Sequence, residues 1–132
     1  MSDTLNSIGR LYNMILAAFG IGKISFVDDS GPVQMVQITM DNGTIIDEVP
    51  RLSEFGFTSN PPINTAVAAE FVNGDRSNGR IVATNNASIR KKNLASGESA
   101  QYNAFGMYIH LTQSGISIEA NGHNISVSGA TT

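Results

Sequence analysis

The chain has no cysteine, no tryptophan and only four prolines, and just 14% of its 132 residues are charged. Each shortage excludes something. Without cysteine there is no disulfide, no thiolate nucleophile and no thiolate zinc site. Burial or self-association must hold any thin part of the fold together. The charged fraction is low against the usual quarter or so, and the formal net charge is −3. General electrostatic binding of DNA or RNA is therefore not expected. Long apolar runs are missing as well. The segment LYNMILAAFGIG is too short to span a bilayer. It follows Arg10 as a signal-peptide core would, yet Tyr12 and Asn13 interrupt it and Asp3 offsets the positive flank, so no signal peptide is expected.

What the chain does have is 41% hydrophobic residues and 13 glycines among many Ser, Asn and Thr, a balance that favours strands and turns. Residues 3–19 are the exception. Ile8, Leu11, Tyr12, Ile15, Leu16 and Phe19 recur at three and four, which lays an apolar stripe along a helix. Asp3 or Thr4 suits its start and Gly20 its left-handed stop. The stripe either lies on its own domain or docks on a neighbour.

From residue 21 to about 95 the period falls to two. KISFVDD places Ile24 and Phe26 on one face, and VQMVQITM places Val36, Ile38 and Met40 on one side. An Asn42-Gly43 turn joins the latter to TIIDEV as a hairpin. TAVAAEFV suits a central strand, and NGDRSNG turns the chain back into RIVAT. About five strands in this span are enough to close a small barrel. RLSEFGFTSNPP breaks the rhythm with Gly56 and paired prolines, so it is expected to be a long ordered loop that Arg51, Glu54, Phe55 and Phe57 anchor against either the barrel or a neighbour. Arg90, Lys91 and Lys92 form the one basic cluster. With no aromatic interleaved among them, they read as a solvated linker face.

The tail, residues 96–132, alternates again. Ile109, Leu111, Ile116, Ile118, Ile125 and Val127 sit two apart within short runs, and ISIEANGHN over ISVSGATT is a weak repeat at a nine-residue step. Six aliphatic side chains cannot offset the entropy of ordering so long a ribbon, and a lone tail would expose strand edges and an apolar stripe. Either the tail folds back on the barrel as a hairpin, or three chains wrap their stripes about one axis. The second arrangement predicts an intertwined homotrimer.

RLSEFGFTSNPP, AEFVNGDRSNGRIVATNN and LASGESAQYNAFGMYIHLTQSGISIEA together resemble the central spike of Mu-type contractile-tailed phages, the baseplate assembly protein V family. The likeness runs from about Ile21 to Ala120. It implies an all-β homotrimer with an OB-like barrel followed by a triple-stranded β-helix, attached to hub proteins of the tail baseplate in the virion after synthesis in the host cytoplasm. Sheath contraction would drive the spike through the host outer membrane without cutting a bond. On that reading residues 1–20 are a helix docking on the hub, 21–95 the OB-like barrel and 96–132 the start of the β-helix. Family spikes commonly end in an iron tip held by H-x-H from each chain. This sequence has only His110 and His123, so no cofactor is expected here and an iron tip would be on a separate protein at the C-terminus, or missing.

His123 shares parity with Ile125 and Val127 and is the candidate axial metal ligand, whereas His110 should face outward. No catalytic residue is expected. Asp28, Asp29, Asp47, Glu48 and Glu54 are scattered over turns and strand ends, and GDRSNG lacks the lysine of a phosphate loop. The rival to a structural spike is an OB-type module binding oligonucleotides or sugars without catalysis.

Overall fold

Helix α1, Ser2–Ala17, carries its apolar spacing on a chain with one acidic residue in its first turn and none of its side chains buried. Its start has no side-chain cap, because the helix begins at Ser2, before Asp3 or Thr4 can serve. The computed structural model describes residues 1–131, and they divide into two compact units after Asn86.

In the first unit the helix ends earlier than its spacing suggests. Ala18 keeps a right-handed conformation, and Phe19 already opens strand β1, Phe19–Asp28. Gly20 is therefore a strand residue and not a left-handed cap. A side chain there would run into Met40 and crowd Phe71, so glycine serves close packing. The helix is held at its end by Phe71 N–H donating to the Ala18 carbonyl at 2.7 Å. Gly74, at φ +72°, also leaves room for the Met14 carbonyl.

β1 is followed by β2 (Gln34–Met40), β3 (Ile45–Arg51), β4 (Ala66–Phe71) and β5 (Gly79–Asn85). They close a barrel in the order β1-β2-β3-β5-β4. All neighbours are antiparallel except β3 and β5, which meet in parallel through the single pair Arg51 with Ile81. Alternate residues fill the interior: Ile24, Val36, Ile38, Met40, Val49, Val67, Ala69, Phe71 and Ile81 are buried. Thr65 is buried with them, its hydroxyl donating to the Pro62 carbonyl at 2.7 Å and accepting from the Asn86 amide at 3.1 Å.

Three bulges adjust the parity. Ser25 is an extra residue between the pairs Ile24–Ile38 and Phe26–Gln37, so Phe26 swings to the solvent side and Val27 takes the inward place. Ile24 and Phe26 thus lie on opposite faces, where strict alternation predicts one. Opposite Gln37, β3 inserts both Asp47 and Glu48, with Glu48 at φ +52°. The third bulge turns Val82 of β5 outward. Such insertions bend strands enough to close a small barrel.

The second unit begins at Ala87 and contains a three-stranded antiparallel meander: β6 (Ser99–Tyr102), β7 (Tyr108–Thr112) and β8 (Gly115–Glu119). The β6–β7 loop is organised by Asn103, whose side-chain oxygen accepts from the Phe105 and Met107 amides at 2.9 and 3.2 Å. Asn121 donates to the Phe105 carbonyl at 2.8 Å and ties the next turn to that loop. From Ala120 to Ala130 no strand forms in the single chain. Thr132, beside the place where a separate tip is expected, lies outside the described residues.

Candidate functional site

The pairing of β6–β8 sorts the tail's side chains cleanly. Ile109 faces Ile118 and Leu111 faces Ile116 across the β7–β8 ladder, while Gln101 and Ser99 extend the same face on β6. Directly opposed residues share a face, so the four aliphatics form one contiguous patch. All four are open to solvent: 43% for Ile109, 45% for Leu111, 70% for Ile116 and 57% for Ile118. The opposite face carries Tyr108, His110 and Thr112, all half-buried. In an isolated sheet this is inverted, since the apolar side is the wetter one. Ile125 and Val127 are exposed and belong to no strand, so the single chain brings four of the six predicted stripe residues together and leaves these two apart.

His110 lies on the face opposite the aliphatic patch, where it is partnered. Its Nε2 meets Glu98 Oε2 at 2.8 Å, and both side chains are largely shielded. The hydrogen bond from His110, helped by the Ala95 amide and by Lys91, holds Glu98 below its ordinary value. His123 sits in an exposed turn, its amide donating to the Ala120 carbonyl at 3.0 Å. With one histidine committed to Glu98 and the other in that turn, the two do not compose an H-x-H iron set.

On the helix, Ile8, Leu11, Tyr12, Ile15 and Leu16 are all more than half exposed. Phe19, assigned to that stripe by its spacing, instead extends from β1 at 71% exposure. The long loop divides its roles. Arg51 anchors it, its guanidinium donating to the Ser59 carbonyl, the Ser59 hydroxyl and the Gln34 side chain, each at 3.0 Å. Partial burial pulls its pKa down, against the pull of Asp29. Phe57 N–H donates to the Glu54 carbonyl across a turn with Gly56 at φ +90°, the geometry of a type II turn. That turn holds Phe55 fully in solvent and Phe57 two-thirds exposed. Neither phenylalanine anchors the loop to its own barrel.

The carboxylates serve local turns. Asp28 accepts from the Ser30 hydroxyl and amide at 2.6 and 3.0 Å, Asp75 does the same with Ser77, and both are held below the usual carboxylate range. A general acid needs the opposite shift. Asp29 accepts from Gln34, and Asp47 from the Glu48 amide. Two open clefts of about 420 and 430 Å³ mark the barrel, one between Lys23, Thr39 and Asn64, the other between Phe19, Met40 and Asn42.

Residues 22–88, just over half of the chain and nearly the whole barrel, match the family described as Bacteriophage Mu Gp45, N-terminal. The chain belongs to that family. Gp45 is the baseplate assembly protein V group, so the resemblance carried by EFGFTSNP and GDRSNG is correct. The chain is also 30% identical over 95 residues to the Mu-like prophage FluMu protein gp45 of Haemophilus influenzae, an overlap of 72% of this chain and 52% of that protein. It thus spans about half the length of the curated Gp45 relative it matches. The Gp45 match ends within two residues of the first compact unit, so it is the barrel that this family region describes.

Proposed function

We propose that this chain is a structural baseplate component of a contractile phage tail or phage-derived particle, acting as a homotrimeric central spike that helps puncture the host outer membrane. The observation that carries the reading is the solvent-open patch of Ile109, Leu111, Ile116 and Ile118. An antiparallel meander with its apolar side in water is an interface in need of a partner, and β8 offers a free strand edge for one. Three copies turning that patch to a common axis cover it by symmetry. Ile125 and Val127 then find strand partners on sister chains and extend the shaft.

The barrel, with the 1-2-3-5-4 strand order, supports an OB-like base. The exposed stripe Ile8, Leu11, Tyr12, Ile15 and Leu16 supplies a docking helix for the hub. Its work is architectural and non-catalytic.

Light scattering on the intact chain tests this. Three chain masses that persist in SDS without heating, with no retention of single-stranded DNA, are the expected result. A monomer that binds oligonucleotides with salt-dependent affinity would instead identify an OB-type binding module.

A further inference from the structure

Arg90, Lys91 and Lys92 are three of the chain's eight basic residues in one stretch, and adjacency alone leaves them a solvated run. Folding changes their company. Together with Tyr102, Asn103 and Tyr108 they line a groove of about 450 Å³ in the second unit. Lys91 Nζ stands 4.4 Å from the centre of the Tyr108 ring, a cation–π contact that fixes its head over the groove. Among the described residues the ion pairs are Arg80–Glu70 and His110–Glu98, so Arg90 and Lys92 stand in neither, while Lys91 shares the field of Glu98. Glu98 itself is bound to His110.

We propose that this groove binds a compact phosphate-bearing group, as on a sugar phosphate or a phosphorylated headgroup. The Arg90 guanidinium and the Lys92 ammonium, outside both ion pairs, match phosphate oxygens, and Tyr102 lines the same groove with an aromatic side chain. The small groove and the net charge of −3 disfavour a long polyanion, which needs an extended basic track. Tyr102 and Tyr108 lie on the sheet face opposite the aliphatic patch. If that patch is the trimer axis, as proposed above, the groove faces outward on the shaft.

The intact chain suits a direct test. It has no tryptophan, and two of its three tyrosines line the groove, so tyrosine fluorescence reports binding there. Glucose 1-phosphate, phosphatidylcholine vesicles with and without phosphatidic acid, and a thymidine oligonucleotide are titrated at low salt. The expected result is saturable binding of the sugar phosphate, of the phosphatidic acid vesicles, or of both, weakened roughly tenfold in the double variant Arg90→Ala, Lys92→Ala. Binding to vesicles alone assigns a membrane headgroup, and binding to the sugar phosphate assigns a soluble or glycan-borne source. Both substituted residues are exposed, and circular dichroism confirms that the variant folds. No response to either phosphate probe, equal binding by the variant, or tighter binding of the oligonucleotide overturns the proposal. Light scattering on the same samples separates the two ideas: a monomer that binds phosphate refutes the spike, and a trimer that does not refutes the groove.

Discussion

Substituting Ile118 by Ala puts the self-association of the tail to a quantitative test. The side chain is 57% exposed in the single chain, and full burial of an aliphatic side chain contributes about 1.5–3 kcal/mol. Covering the exposed part, less what an Ala methyl retains, amounts to about 1 kcal/mol per chain. A threefold interface uses the residue three times, so the trimer loses about 3 kcal/mol, roughly two orders of magnitude in its association constant. Because that constant scales with the square of concentration, the midpoint for assembly should rise about tenfold. Sedimentation velocity over a dilution series measures it. Ser117→Ala, on the other face of the same strand, is the control and should leave the midpoint in place. An unchanged midpoint in Ile118→Ala, or a wild-type chain that is monomeric throughout, refutes the assignment of this face to the axis.

Three further outcomes follow from the geometry. Arg51→Ala removes the donors to Ser59 and Gln34 and should cost about 1–3 kcal/mol, seen as a lower urea midpoint and faster amide exchange across 52–60. Gly79→Ala places a methyl carbon 2.5 Å from the buried Phe71 ring, so overpacking should lower barrel stability by about 1–3 kcal/mol in thermal melts. Glu98 has a depressed pKa because His110 donates to its charged form. Its stabilising contribution is thus complete above the ordinary glutamate value, about 4.3, and fades as pH falls through that value towards the lower folded one. Glu98→Gln should weaken the second unit at neutral pH and flatten this acid-side loss, as read from β7 amide exchange.

The barrel was largely legible because its turns and its inward residues announce themselves locally: Asn42-Gly43 makes the hairpin, and Val36, Ile38 and Met40 go inside as their alternation requires. Bulges leave no such mark. Nothing in KISFVDD distinguishes Ser25 as an inserted residue, so the outward turn of Phe26 depends on how the barrel closes. Phe19 and Gly20 misled for a related reason: glycine ends helices and also admits close strand packing, and only the position of Met40 and Phe71 decides between them. The groove escaped notice because Arg90–Lys92 and the tyrosines at 102 and 108 are brought together only by the meander. In the tail, pattern located the aliphatic face on β7 and β8, where cross-strand pairs confirm a shared side. Ile125 and Val127 lack that ladder, so their alternation has no strand to show it.

Arg51 sits at a junction whose mechanics are worth drawing out. It supplies the one pair joining β3 to β5 and also grips Ser59. A pull on the loop at Ser59 is therefore carried through the Arg51 guanidinium to the residue that pairs β3 with β5. Loop and seam thus share one side chain, and a change at Arg51 reaches both at once.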